Sequence, residues 1–386
     1  GRLYFAGFPV EDLATQFGSP SFIYSCKRVL ANISRVKTVL AEVAGQPGHR
    51  VFYAMKANRF SPLLTLLKQS GLCGIDACSP PEVEQALSCG FLPQEISFTA
   101  TSLSEDDFNR LARYHGLLFN ADSLHAIREW GKRKPGSEIG IRINPAAGVS
   151  RAANQMLQYA GDNTTKFGVY REQFLEALEL AGSYGMTITR IHFHTGCGYL
   201  TEQLPVWRAV IDKCLWFIDQ TPTVRRVNIG GGLGVPHLAS DKNLELVAWG
   251  NIIKACFSAR GLAIDVEPGD YVVKDAGLLL LGVTFLEQKR DKLFLGVDGG
   301  FNLAPEPAYY NLPFQPVSLQ ISQNAELLPV QVVGNINEAL DVWYRDAMLP
   351  PMSGQRYLAL LNAGAYSSAM ASNHCMRGSL KEFLLV

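Results

Sequence analysis

The sequence predicts an eight-stranded parallel (β/α)8 barrel followed by an all-β domain. Three observations lead there: β-prone runs alternate with helix-like stretches through residues 51–268, those runs are apolar on both faces, and helical periodicity fades after about residue 270. Parallel strands buried on both faces need a covering layer of helices, and eight of them close into a barrel more readily than they spread into an open sheet. An open doubly wound sheet is the alternative, but it usually has fewer strands and a Gly-rich first turn, which this chain lacks.

The strands run in order as VFYAM (51–55), CGIDAC (73–78), ISFTA (96–100), GLLFNA (116–121), EIGIRIN (138–144), RIHFHTG (190–196), RRVNIGG (225–231) and LAIDVEPG (262–269). Between them SPLLTLLKQSG, PPEVEQALSCG, EDDFNRLARYHG, SLHAIREWGKR, REQFLEALELAGSYG and LPVWRAVIDKCLWFI repeat apolar residues every three or four positions. Several of these open on Ser or Pro and close on Gly, as capped helices do. The barrel is expected over residues 26–270. Past it come the β-prone runs YVVKDAGLLLLGVTFLE, KLFLGVDGG, LPVQVVG and RYLALLNAG. Residues 1–25 read as extended, so the second domain is expected to combine 1–25 with 271–386 as a β-sandwich or β-barrel.

Composition narrows the partners. The chain of 386 residues is 47% hydrophobic and 18% charged, enough apolar surface for a large core. Lys plus Arg and Asp plus Glu each total 35, so no net field draws it to nucleic acid or an anionic membrane, and a small-molecule partner is expected. No apolar run is long enough to span a membrane, and GRLYFAGFPVEDL lacks the layout of a signal peptide, so a cytoplasmic protein is expected. Eight cysteines show neither CxxC pairing nor zinc spacing; no metal is expected, and most are read as small core residues.

In a barrel of this kind the chemistry sits at the carboxyl ends of the strands. There the chain places Lys56, Asp76, Arg142 with Asn144, His192 with His194, the turn Gly230-Gly231-Gly232, and Glu267-Pro268-Gly269. Each has a bland reading as a solvated lysine, a plain turn, a satisfied histidine or a surface ion pair. Together they match the needs of a cofactor with an aldehyde, a pyridine ring and a phosphate. Lysine condenses with the aldehyde, a carboxylate keeps the ring nitrogen protonated, and glycine amides wrap the phosphate where side chains would block it. That cofactor is pyridoxal 5'-phosphate. His194 is placed to lie against its ring.

The ordered series VFYAMKAN, GIDACSPPE, IRINP, TKFG, HFHTGCG, VNIGGGLG, VEPGD, VDGGFN, GNINEALD and NAGAYSSAMASN resembles the fold-type III pyridoxal-phosphate decarboxylases, the diaminopimelate/ornithine decarboxylase group, from about residue 50 to 386. The resemblance implies an alanine-racemase-like TIM barrel with a C-terminal all-β domain, in a homodimer whose active sites borrow residues from the partner. It implies Lys56 as the Schiff-base lysine, His194 stacked on the ring and Glu267 on the ring nitrogen. It further implies Gly231, Gly232, Gly269 and Tyr366 at the phosphate, with Arg142 and Asp76 as polar support near the lysine. Glu338 and Asp341 correspond to the segment delivered from the other subunit.

Four positions depart from the family pattern. EPGR is here Glu267-Pro268-Gly269-Asp270, so a cation is missing or comes from elsewhere. RPALY, whose arginine grips a diaminopimelate carboxylate, is Glu306-Pro307-Ala308-Tyr309, which exchanges the charge sign at a substrate position and argues against diaminopimelate itself; Glu306 and Tyr309 are the substrate residues expected there. The proton-donating cysteine is Asn337, which cannot act as a general acid. HIGS has become a turn with Cys197 in place of a hydroxyl. His374 and Arg377 in the tail SNHCMRG are positioned to hold anions.

The expected activity is therefore α-decarboxylation of an amino acid. A citrate-conjugated amino acid of carboxylate siderophore assembly, such as citryl-diaminopropionate or citryl-serine, is the leading substrate by resemblance and elimination. A free basic or diamino acid (lysine, ornithine, diaminopimelate) is the alternative, with a racemase or a silent homologue on the same scaffold behind it.

Overall fold

The computed structural model describes residues 1–386 except 43–47, 152–154, 158, 162, 239 and 321–324. Eight strands form its first part: β1 (Arg50–Ala54), β2 (Gly74–Ala77), β3 (Ile96–Thr99), β4 (Leu118–Ala121), β5 (Glu138–Asn144), β6 (Thr187–His192), β7 (Arg226–Asn228) and β8 (Ala263–Val266). Each pairs in parallel with the next, and β8 returns to β1 through Asp265 opposite Arg50 and Val266 opposite Val51. The sheet is a closed barrel.

The six expected helices are present, three of them capped through Ser79, Ser104 and Ser123, whose hydroxyls accept from Glu82 N, Asp107 N and Ala126 N. Two more were absent from the sequence reading. Leu246–Phe257 joins β7 to β8, burying Leu246, Trp249, Ile253 and Cys256 at helical spacing. Cys26–Glu42 precedes β1, yet packs between Leu246–Phe257 and Ser61–Ser70. The eighth place in the helical ring is thus filled from upstream of the first strand. A third helix, Val10–Phe17, corrects the extended reading of residues 1–25, and its apolar face, Val10, Leu13 and Ala14, is buried.

Beyond the barrel the strand Gly277–Lys289 organises the β part. Gly277–Leu280 pairs antiparallel with the N-terminal strand Ser21–Ser25, Leu278–Gly282 with Tyr357–Leu361, and Val283–Lys289 with Lys292–Val297. Lys381–Leu385 then runs parallel to Ser21–Ser25, so both ends of the chain meet in one sheet. A separate apolar core that includes Phe22, Leu279, Val297, Phe314, Trp343 and Leu358 holds this part together. It is pinned to the mouth of the barrel by Tyr366 N donating to Ala57 O at 2.8 Å and Asn58 Nδ2 donating to Gly364 O at 3.0 Å. No helix among the described residues is long and apolar enough to cross a membrane.

Candidate active site

The carboxyl ends of the strands surround a cavity of about 280 Å³. All ten residues expected at a cofactor line it: Lys56, Asp76, Arg142, His194, Cys197, Gly231, Gly232, Glu267, Gly269 and Tyr366. Lys56 does not end β1 but sits in a 3-10 turn, Met55–Ala57, which lifts its side chain over the rim and leaves it 41% exposed toward the cavity.

Glu267 lies just past β8, buried, and its carboxylate is held from three sides. Ser97 Oγ donates to Oε1 at 2.9 Å, Asn228 Nδ2 donates to Oε1 at 2.5 Å, and His192 Nε2 lies 2.9 Å from Oε2. Burial pushes this carboxyl up, but His192, Lys56 and Ser97 together outweigh it and hold it down at about 2. Asp76 takes the opposite course. Lys56 Nζ donates to its Oδ2 at 3.5 Å, yet burial and the neighbouring Glu267 charge raise Asp76 to about 8. Two buried carboxylates beside one lysine do not both ionise freely, and the one with more hydrogen bonds keeps its charge. Lys56 itself is shifted upward: burial opposes its charge, and Asp76 and further groups more than restore it.

His194 is kept neutral, pushed well below the usual imidazole range by burial and by the cations Lys56 and Arg142. Gly231 N donates to its Nδ1 at 3.3 Å, which leaves the proton on Nε2. The ring meets Tyr159 edge-on at 4.6 Å between centroids. Arg142 is buried with its guanidinium 4.6 Å from the Phe167 ring centroid.

The glycines leave room for backbone alone. A Cβ on Gly231 would stand 2.2 Å from the Glu267 carbonyl oxygen, and one on Gly232, at φ +93°, would stand 2.4 Å from the Gly196 carbonyl. Over Gly269 a Cβ would come within 3.1 Å of the Tyr366 hydroxyl. A bare glycine turn beside a tyrosine hydroxyl, a lysine amine, a fixed carboxylate and a neutral imidazole correspond to the phosphate, aldehyde, ring nitrogen and ring face of pyridoxal phosphate. The residues fit the group.

A second cavity of about 330 Å³ adjoins the first through Lys56, Tyr159, Cys197, Asp270 and Tyr366. Glu306 lines it, as expected of a substrate residue. Tyr309 does not: it is 51% exposed, and its ring is 6.0 Å from Phe301. The correction is one of helical phase, since Glu306–Tyr310 is a single helical turn that brings Glu306 and Tyr310 to the cavity and turns Tyr309 away. Asp270, which stands where the cation was expected, is itself paired one turn later: Lys274 Nζ donates to Asp270 Oδ1 at 3.1 Å and Glu306 Oε2 at 2.5 Å, and Lys274 lines neither cavity. Burial raises Glu306 to about 7 despite Lys274. Burial also pushes the Cys197 thiol up to about 12, a small neutral group near the rim.

The remaining expected substrate residues lie outside both cavities. Asn337, Glu338, His374 and Arg377 are exposed, and Glu338 pairs with His374 at 3.2 Å. Asp341 is buried for a structural reason: its oxygens accept from Phe301 N at 2.7 Å and Ile336 N at 2.6 Å. Ser97, Asn228 and Lys274 were absent from the sequence reading. Lys274 had a signal in its four-residue spacing from Asp270; Ser97 and Asn228 had none until the strand phases were fixed.

The family profile for the pyridoxal binding domain of pyridoxal-dependent decarboxylases matches residues 27–274, and that for their C-terminal sheet domain matches 210–364. A diaminopimelate decarboxylase of Methanothermobacter thermautotrophicus is 30% identical over all of this chain and 91% of its own length. One from Aquifex aeolicus is 27% identical over the same shares. The crystal structure of diaminopimelate decarboxylase from Helicobacter pylori complexed with L-lysine superposes with a TM-score of 0.88 at 25% identity, covering 98% of this chain and 94% of that one. None of these relatives supports the expected citrate-conjugated substrate, and that reading gives way. With its barrel, its sheet domain and a cavity that fits the cofactor, the chain belongs to the pyridoxal-dependent decarboxylases, carboxy-lyases that work with pyridoxal phosphate.

Proposed function

We propose that this enzyme decarboxylates a free diamino acid at its α-carbon, as a homodimer that shares its sites. The substrate class rests on one observation, the diaminopimelate decarboxylases that align with it end to end. They favour a free diamino acid over a citrate conjugate, and decarboxylation over racemisation or a silent scaffold.

When bound, pyridoxal phosphate supplies an electron sink for the bond that breaks. The chain's residues do the rest. Lys56 is the amine that would tether the cofactor, and Asp76, 3.5 Å away, is the group placed to take or return a proton at Lys56 Nζ. Glu267, fixed by Ser97, Asn228 and His192, would hold a proton at the ring nitrogen. Neutral His194 would supply a flat wall without competing for charge, and Gly231, Gly232, Gly269 and Tyr366 would hold the phosphate. The side chain of the substrate extends into the adjoining cavity between Asp270, Glu306 and Tyr310.

The homodimer is supported by where the other residues gather. Tyr309 and His374 both meet the Phe301 ring, His374 pairs with Glu338, and none of the four lines either cavity, while Leu340 and Met376, two residues on from Glu338 and His374, are exposed. A group so placed suits delivery into a partner's site. The test is a purified holoenzyme assayed for CO₂ release from lysine, ornithine, diaminopimelate and citryl-diaminopropionate. Release from a free diamino acid upholds the reading. Release from the conjugate alone, or no absorbance from lysine-bound cofactor, overturns it.

A further inference from the structure

Asp270, Lys274 and Glu306 form a buried charged cluster at the boundary of the two cavities, with relative exposures of 7%, 0% and 3%. Both carboxylates line the second cavity and Asp270 lines the first as well, whereas Lys274 lines neither. The ammonium therefore sits behind the acids. Two carboxyl groups against one ammonium leave the second to be neutralised by a proton, toward which burial pushes Glu306, or by a cation from the cavity. Lys274 occupies Asp270 Oδ1 and Glu306 Oε2, and among the described residues no hydrogen bond reaches Asp270 Oδ2 or Glu306 Oε1.

Neighbouring cations are engaged elsewhere. Arg151 donates to Val235 O at 2.6 Å and pairs with Asp241. Arg59 donates to Ala369 O at 2.8 Å, and Lys56 faces Asp76. A buried uncompensated carboxylate is costly, and the partner that would compensate it has to arrive through the cavity.

We propose that Asp270 and Glu306, cross-braced by Lys274, form a recognition site for a primary ammonium at the far end of the substrate and exclude a carboxylate there. Resting on the decarboxylase reading above, this narrows the substrate to α,ω-diamino monocarboxylic acids of the lysine or ornithine kind. Diaminopimelate would bring its second carboxylate against two acids. Because Asp270 reaches both cavities, the distal ammonium is held close to the cofactor end, which suits a chain of a few methylenes.

The experiment uses the holoenzyme with L-lysine, L-ornithine, meso-diaminopimelate and L-norleucine, the lysine isostere without a distal amine. The kcat/KM for lysine or ornithine is expected to exceed that for diaminopimelate and norleucine at least tenfold. Glu306→Gln and Asp270→Asn are each expected to reduce the lysine-to-norleucine ratio at least fivefold, mainly through KM. A tenfold preference for diaminopimelate, or an unchanged ratio in both variants, overturns the proposal. In parallel, cadaverine and pentylamine are titrated into the unaltered holoenzyme, following the cofactor absorbance. This needs no variant to fold and no turnover. Tenfold tighter cadaverine upholds the site and equal affinities overturn it. If none of the amino acids releases CO₂ while cadaverine still wins, the decarboxylase reading fails and the ammonium site stands.

Discussion

Glu267 and Asp76 face the same lysine, but their surroundings assign them different protonation states, and each assignment carries a prediction. Glu267 at about 2 stays charged wherever the enzyme works. Glu267→Gln removes the charge that keeps the ring nitrogen protonated and leaves the side-chain shape, so kcat should fall by about two orders of magnitude or more, with cofactor still bound. Stopped assays alongside the cofactor absorbance would check this. For Asp76 the folded value of about 8 lies above an unfolded value near 3.9. Its contribution to stability is full below about pH 4 and is lost as pH rises through about 8. Asp76→Asn has no such loss, so in cofactor-free protein the Tm of the variant relative to wild type should climb by about 2 °C or more between pH 5 and pH 9. A flat difference would show that Asp76 does not titrate there. Lys56→Ala should remove the absorbance of lysine-bound cofactor and lower kcat by at least about 10³-fold, with the far-UV circular dichroism retained.

At the scale of the element, the site is made by strand ends and the turns after them. β8 carries Asp265 at its base, bonded by Arg50 and Arg226, and two residues beyond it Glu267 emerges at the rim on the same side. Gly232 shows how little slack the following turns have. Gly232→Ala forces a side chain into φ +93° and against the Gly196 carbonyl at 2.4 Å, a strain of about 1–3 kcal/mol. The affinity for pyridoxal phosphate, followed by fluorescence, should weaken at least about tenfold. The same element logic decides what could be read from sequence. Lys56, His194, Gly231 and Glu267 were legible because strand ends show in the hydrophobic pattern, and polar residues there stand out. That Tyr310 and not Tyr309 reaches the cavity was not legible, because the phase of a single helical turn is invisible without its neighbours. Cys26–Glu42 was missed as a barrel helix although Val29, Ile33, Val36 and Leu40 repeat at helical spacing. It comes before the first strand, and only closure of the ring gives it a place.

For the whole molecule, the decisive question is whether one chain completes its own site. Its cofactor residues converge on one cavity, while Asn337, Glu338, His374 and Arg377 lie on an exposed face. Under the proposed homodimer these are two halves of different sites, and sedimentation should give twice the 42.4 kDa of the chain. A sharper outcome follows from mixing. Lys56→Ala spoils the cavity of its own chain, and Glu338→Arg spoils the segment lent to the partner, so each variant alone should be nearly inactive. Dissociated and reassociated at equal amounts, about half of the dimers contain one chain of each kind, and one of their two sites then has both halves intact. Activity should recover to about a quarter of the wild-type value. If each chain completes its own site without this segment, Glu338→Arg alone keeps its activity, mixing adds nothing to it, and the cluster around Phe301 and His374 has no part in the chemistry.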